Sequence, residues 1–295
     1  MELPGNLNGH AAGIIMKEMV RRAIFAIRRH FDSFEVIEKV GMDNRKDFLT
    51  SADRAAQEIY AKSIRQCFPG YGIIAEEDKL SVPCEIPGEN LFFTVDPLDG
   101  TKAFIRRQSH AIGTMISLVR NGEVIGAYIG DVMTHEIYGF RPGSQRVHRI
   151  TDYNAAVQLQ PSPRPLRETY VSLRSEPDYF SPCVQQVARG IRFGGMFQSM
   201  EVSGGSIGVD VARLWKGEVG AIVLEPFFNT PWDYCPVFGI SQQLGFVEVA
   251  VVDDKLELIK TQFNREGTRR VYEAFLIHEK QLDELKRAFD SELAC

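Results

Sequence analysis

No apolar run in this 295-residue sequence approaches the ~20 residues that a membrane-spanning helix needs. Its start, Met1 to Pro4, leads into a helix interrupted by polar residues and has no apolar core of a secretory leader. No Cys-x-x-Cys pair occurs among Cys67, Cys84, Cys183, Cys235 and Cys295, which are odd in number and far apart, so neither a zinc clip nor a redox dithiol is available. Reduced, buried thiols and a cytoplasmic setting follow as expectations. Basic clusters are scarce too. With 34 Lys and Arg against 39 Asp and Glu, the net charge of −5 disfavours a nucleic-acid surface, and the charges from Arg21-Arg22 to Arg28-Arg29 read as a solvated helix face. The sequence has no Gly-x-x-x-x-Gly-Lys-Ser/Thr loop, no strand-linked Gly-x-Gly-x-x-Gly, no repeat period and no low-complexity tract. Nucleotide-driven kinase and dehydrogenase chemistry therefore lack an anchor. The histidines, His10, His30, His110, His135, His148 and His278, are scattered without metal-ligand spacing.

What is present is ordinary globular material, 44% hydrophobic and 25% charged, in a chain longer than one core usually serves. Two subdomains are expected, residues 1–152 and 153–295, divided at the polar, proline-bearing stretch from Tyr153 to Arg167. Ile15, Met19, Ile24 and Ile27 recur at helical spacing between His10 and Phe31, and a second helix runs from Asp53 to about Cys67, capped by Thr50 or Ser51 and stopped by Pro69-Gly70. Tyr71 to Ala75 and Leu91 to Val95 read as short strands, and Ala111 to Val119 with Val124 to Ile129 reads as a hairpin about Asn121-Gly122. Beyond the boundary, Thr169 to Leu173, Asp210 to Lys216, Ala221 to Leu224, Tyr234 to Leu244 and Phe246 to Val252 alternate strand, helix, strand, helix and strand. A last amphipathic helix spans about Glu279 to Phe289. The fold class is α+β or α/β.

Three acidic segments carry the chemistry. In Leu91-Phe-Phe-Thr-Val-Asp96-Pro97-Leu98-Asp99-Gly100-Thr101 an apolar strand ends in two aspartates around a proline, and Gly100 tolerates backbone angles that other residues resist. Two ionised carboxylates aimed at one spot raise each other's pKa, and a hard divalent cation removes that penalty, which makes Mg²⁺ the natural occupant. Glu76-Glu77-Asp78 again follows a short buried strand, and Thr230-Pro231-Trp232-Asp233 precedes a helix. Each segment alone is a plausible turn or cap; the combination is more specific.

Together they resemble the inositol monophosphatase family, whose patterns are an acidic pair after a strand, Asp-Pro-x-Asp-Gly-Thr, and a later Trp-Asp, in this order. The resemblance implies a layered α-β-α-β-α sandwich, Mg²⁺-dependent and lithium-sensitive hydrolysis of a phosphomonoester, and a homodimer. It implies that Glu76, Asp96 and the Leu98 carbonyl hold one metal and that Asp96, Asp99 and Asp233 hold a second. Asp53 and Thr101, with Glu76, would orient the attacking water. Gly100 and Thr101, with Gly205 and Ser206 of Ser203-Gly-Gly-Ser-Ile207, would line the substrate site, and Glu225 would contact substrate hydroxyls, although Pro226 to Thr230 insert a residue before Asp233. Myo-inositol 1-phosphate is the leading substrate. Lys102-Ala-Phe-Ile105 looks closer to relatives acting on 3'-phosphoadenosine 5'-phosphate or histidinol phosphate. A regulatory binding protein with an idle metal site is the alternative of another class. The Asp-x-Asp spacing of haloacid-dehalogenase-like phosphatases does not match, and Cys183 to Arg189, a bare Cys-x5-Arg, lacks phosphate-cradling glycines and reads as helix.

Overall fold

The computed structural model describes residues 1–5, 7–41, 46–153 and 155–290; Cys295 lies outside them. Helix α1 (Gly9–Arg29) starts where the Asn8 side chain accepts from the Ala11 amide, and it buries Met16, Met19, Val20, Ala23 and Ile27 along one stripe. Helix α2 (Ser51–Cys67) opens with a capping box in which the Thr50 hydroxyl accepts the Ala52 and Asp53 amides and Asp53 accepts the Thr50 amide. The helices α3 (Thr101–Ile105), α4 (Pro182–Ala188), α5 (Ile207–Lys216), α6 (Pro231–Gln243) and α7 (Leu282–Asp290) follow. The segment from Cys183 is helical, as its lack of glycine suggests.

An eight-stranded sheet has the spatial order Ala156–Gln158, His148–Ile150, Ile137–Phe140, Glu123–Asp131, Gly113–Arg120, Leu91–Asp99, Gly72–Ala75 and Ser81–Val82. Its pairs are antiparallel except for Gly72–Ala75 beside Leu91–Asp99. The expected hairpin closes at Asn121 and Gly122, both at positive φ, which matches the strand twist. This sheet extends to Gln158. A six-stranded sheet has the order Ser199–Val202, Tyr170–Leu173, Ala221–Leu224, Glu273–His278, Phe246–Val252 and Lys255–Leu258. The strand Glu273–His278 and a hairpin of Val36–Val40 with Lys46–Thr50 go beyond the elements expected from the sequence. In that hairpin Val36, Ile37 and Val40 are exposed, so it shows no alternating apolar face to read.

Three buried clusters bind five layers into an α-β-α-β-α sandwich. α1 and α2 cover the outer face of the first sheet over Phe93, Val95, Ile116 and Leu118. α5 and α6 fill the space between the sheets with Trp215, Val237 and Phe238 against Met115, Ile129 and Leu276. α4 and α7 close the far face with Val184, Val187, Leu285 and Phe289 on Phe275. Each such buried side chain stabilises the fold by roughly 1.5–3 kcal/mol. Trp215 also satisfies its indole N–H by donating to Ser241 Oγ at 3.0 Å, so truncation to Ala would cost about 3–5 kcal/mol. The middle layer positions the site, because α5 and α6 both begin beside the end of the Leu91–Asp99 strand.

Candidate active site

The strand expected to end at Val95 continues to Asp99, and the two aspartates come together by a bulge where the sequence suggested a sharp turn. Asp96 pairs with Met115 and Asp99 with Gly113, so three steps on one strand oppose two on the other. Residues three apart on a regular strand face opposite sides; one extra residue returns them to the same side. Pro97 suits the bulge because it has no N–H to leave unpaired in the ladder. Asp96 Oδ1 accepts the Leu98 amide at 2.9 Å, which fixes its rotamer. Gly100 then takes φ +89°, and a Cβ there would lie 2.6 Å from both the Ala111 carbonyl oxygen and the Ser206 nitrogen.

Two helix N-termini supply the rest. Asp233, in the first turn of α6, accepts the Thr230 hydroxyl at 2.6 Å. Asp99 lies at the start of α5, accepting the Ser206 hydroxyl and the amides of Ile207 (3.1 Å) and Gly208 (2.8 Å). Helix starts favour negative charge. One oxygen from each of Asp96, Asp99 and Asp233 lies within 4.8 Å of the others. Burial, then the neighbouring Asp233, pushes Asp99 up to about 7. Burial, followed by Glu76 and Asp233, carries Asp96 well above the usual carboxylate range, and burial raises Asp233 also. An oxygen-only set of crowded carboxylates is the donor chemistry a hard divalent cation takes, so these residues fit one.

Glu76 is not a member of this three-carboxylate set. Its Oε1 lies 3.1 Å from Lys39 Nζ, which also meets Glu77 Oε1 at 2.6 Å and Asp47 at 3.5 Å. Burial alone would lower the Lys39 pKa, but Glu76, Glu77 and Asp47 raise it. The lysine projects from the Val36–Val40 strand, and sequence reasoning missed it because the hairpin itself was not legible. The Glu77 backbone is locked to α2, its amide donating to Gln57 Oε1 and its carbonyl accepting from Gln57 Nε2, both at 3.0 Å.

The two oxygens of Asp53 have separate partners. Oδ2 accepts the Thr50 amide and hydroxyl, while Oδ1 accepts the Thr101 hydroxyl at 3.3 Å. The Leu98 carbonyl oxygen is 3.1 Å from the same Thr101 hydroxyl, so one proton has two alternative acceptors. Burial pushes Asp53 up to about 6. Beside the carboxylates a cleft of about 420 Å³ is lined by Lys102, Arg174, Glu225, Phe228, Tyr234 and Arg270, among others. Gly205 and Glu225 border it, whereas Ser206 is fully buried and reaches Asp99. Arg174 and Arg270, which no sequence motif marked, enter from the second sheet's side.

The layers and the carboxylate centre define an α+β sandwich protein with a candidate metal site between its sheets. The family model described as the inositol monophosphatase family matches residues 13–280, and the chain belongs to that family. The Nus factor SuhB of Xylella fastidiosa is 29% identical over 107 residues, a stretch covering 36% of this chain and 36% of that one. The match thus spans about a third of the curated relative's length. The extragenic suppressor protein suhB of Bartonella henselae has the same fold at TM-score 0.70 and 16% identity, over 95% of this chain and 98% of that one. An IMPase/NADP phosphatase complexed with Mg²⁺ and phosphate follows at TM-score 0.64 and 16% identity, over 92% of this chain and 91% of that one. Among the described residues, no helix is long and apolar enough to cross a membrane.

Proposed function

We propose that this protein is a Mg²⁺-dependent phosphatase that hydrolyses a small-molecule phosphomonoester without a phospho-enzyme. The observation that carries the reading is the convergence of Asp96, Asp99 and Asp233 on one point. Mg²⁺ held by these aspartates, with Glu76 and the Leu98 carbonyl, would acidify a bound water and neutralise phosphate charge. The chain's residues do the rest. Thr101 takes a proton from the water as it gives its own to Asp53 Oδ1, to which its hydroxyl is hydrogen-bonded, so the water attacks as hydroxide and Asp53 ends protonated. The water oxygen adds to phosphorus as the ester P–O bond breaks, and the departing alkoxide takes a proton from solvent. The amides and glycines of Gly100-Thr101 and Gly205 border the phosphate, and Glu225 faces substrate hydroxyls across the cleft. Residues 1–152 supply most metal ligands and residues 153–295 complete the pocket.

Myo-inositol 1-phosphate is the leading substrate. The aromatic and cationic lining from Phe228, Tyr234, Lys102 and Arg174 favours a second reading, 3'-phosphoadenosine 5'-phosphate, over histidinol phosphate, whose amine is cationic. A cytoplasmic homodimer sensitive to lithium completes the proposal. Phosphate release from these three substrates is measured with Mg²⁺, with EDTA and with Li⁺. Turnover of one substrate that EDTA abolishes is the expected result. No turnover of any would move a regulatory binding role to the front, a role for which the Nus factor name of the Xylella relative is support.

A further inference from the structure

We infer that Arg174 is a positioning residue for Asp99, acting through the turn that starts α5. This rests on the reading of Asp99 as a metal ligand. The Asp99 backbone belongs to the strand paired at Gly113, but its carboxylate oxygens are oriented by that turn, through the Ser206 hydroxyl and the Ile207 and Gly208 amides. The orientation of the carboxylate therefore follows the turn's own. Ser206 ties the end of the turn, its amide donating to the Ala111 carbonyl at 2.8 Å and its hydroxyl accepting the Val209 amide at 2.9 Å, whereas the glycines before it, Gly204 in open space and Gly205 at φ +82°, have no side chains with which to hold the turn.

Arg174 supplies the support from a different element. It follows the strand Tyr170–Leu173, and its own amide is fixed to the Val223 carbonyl at 3.0 Å. From there Nη2 donates to the Gly205 carbonyl at 2.6 Å, and Nη1 reaches the Ser206 carbonyl at 3.5 Å and Asp210 Oδ2 at 3.3 Å. The guanidinium thus grips the turn before the helix and the helix one turn later. Asp210, nearly fully buried, also accepts the Ser203 hydroxyl at 2.6 Å and the Ser172 hydroxyl at 3.3 Å, so the anchor point is rigid. A planar fork can hold a carbonyl and a carboxylate at once, whereas an ammonium on a flexible stem cannot hold that geometry. The fork, more than the charge, is what the turn uses.

The test is Mn²⁺ binding to the full chain by titration calorimetry, for the unaltered protein, Arg174→Lys, Arg174→Met, Ser206→Ala and the double variant Arg174→Lys/Ser206→Ala. Near-ultraviolet circular dichroism checks folding. Each single variant is expected to bind Mn²⁺ about 10–100-fold more weakly, the usual cost of losing a group that orients a ligand. Lysine should rescue little, and the double variant should bind no more weakly than its worse parent, because both changes act on one path. If Arg174→Met fails to fold, Asp210→Asn replaces it with the same expected weakening. Full rescue by lysine, an additive double variant, or unchanged Mn²⁺ affinity with a raised KM would each overturn the inference, the last by assigning Arg174 to the substrate. Absence of Mn²⁺ binding by the unaltered protein would instead overturn the metal-centre reading itself.

Discussion

The two walls of the cleft are built in opposite ways. The carboxylate wall uses devices only a few residues long: a bulge at Pro97, a left-handed Gly100, a capping box at Thr50 and Asp53, and the first turns of α5 and α6. The facing wall, Glu225 to Asn229, is held from far along the chain, by antiparallel pairing of Phe227–Asn229 with Thr268–Arg270 and by one side chain of that partner strand. Arg270, 6% exposed, donates through Nε and Nη2 to the Glu225 carbonyl at 3.3 and 2.9 Å and through Nη1 to Asn229 Oδ1 at 2.9 Å. Behind it Glu248, itself buried, is 3.7 Å from Arg270 and accepts the Tyr234 hydroxyl at 2.8 Å. A wall made of local turns keeps its chemistry wherever the turns form. One held by a distant partner strand and a buried ion pair depends on residues 225–229, 248 and 268–270 being packed together, and substitutions should separate the two.

The largest effect is expected from Asp96→Asn, which removes a carboxylate common to both implied metal sites. Phosphate release should fall below detection while circular dichroism and melting show a folded chain; retained turnover would break the comparison at its root. Asp53→Asn comes next, with a rate loss on the order of 10²–10⁴, the range for a general acid–base group. Since burial raises Asp53 to about 6, kcat/KM should fall as pH drops below about 6, and the Asn variant should lose that limb. The same shift affects stability. A raised carboxylate pKa means that the folded state binds the proton more tightly. That contribution is full below the unfolded value near 3.8 and is lost as pH rises through about 6. Melting temperature across pH 3.5 to 7, compared with the Asn variant, checks this sign.

Arg270→Met should act chiefly on the other wall. Removing one partner of a buried pair costs roughly 3–5 kcal/mol in stability, and KM should rise more than kcat falls. Adding Glu248→Gln should restore part of the melting temperature, because the stranded charge is gone. An equal loss of Mg²⁺ affinity would show that the two walls are not independent. The smallest effect is expected from Lys39→Met. With the competing ammonium gone from Glu76, half-saturating Mg²⁺ should drop a few-fold in an activity titration, and the metal-free chain should melt earlier because Glu76 and Glu77 lose their counter-charge.

The sequence by itself determined the helices α1, α2, α5 and α6, the hairpin at Asn121-Gly122, and the acidic segments at Asp96 to Thr101 and Asp233. These rest on contacts within a few residues, where the spacing of apolar side chains, caps and glycines is itself the cause of the structure. Only the tertiary structure decided that the strand continues past Val95 in a bulge, that Lys39 sits against Glu76, and that Ser206 serves Asp99 from below and does not open into the cleft. It also decided that Arg174 and Arg270 shape the pocket. Each of these depends on residues far apart in the chain being packed together, so their partners were set by the layering of the two sheets about α5 and α6, which no local spacing encodes.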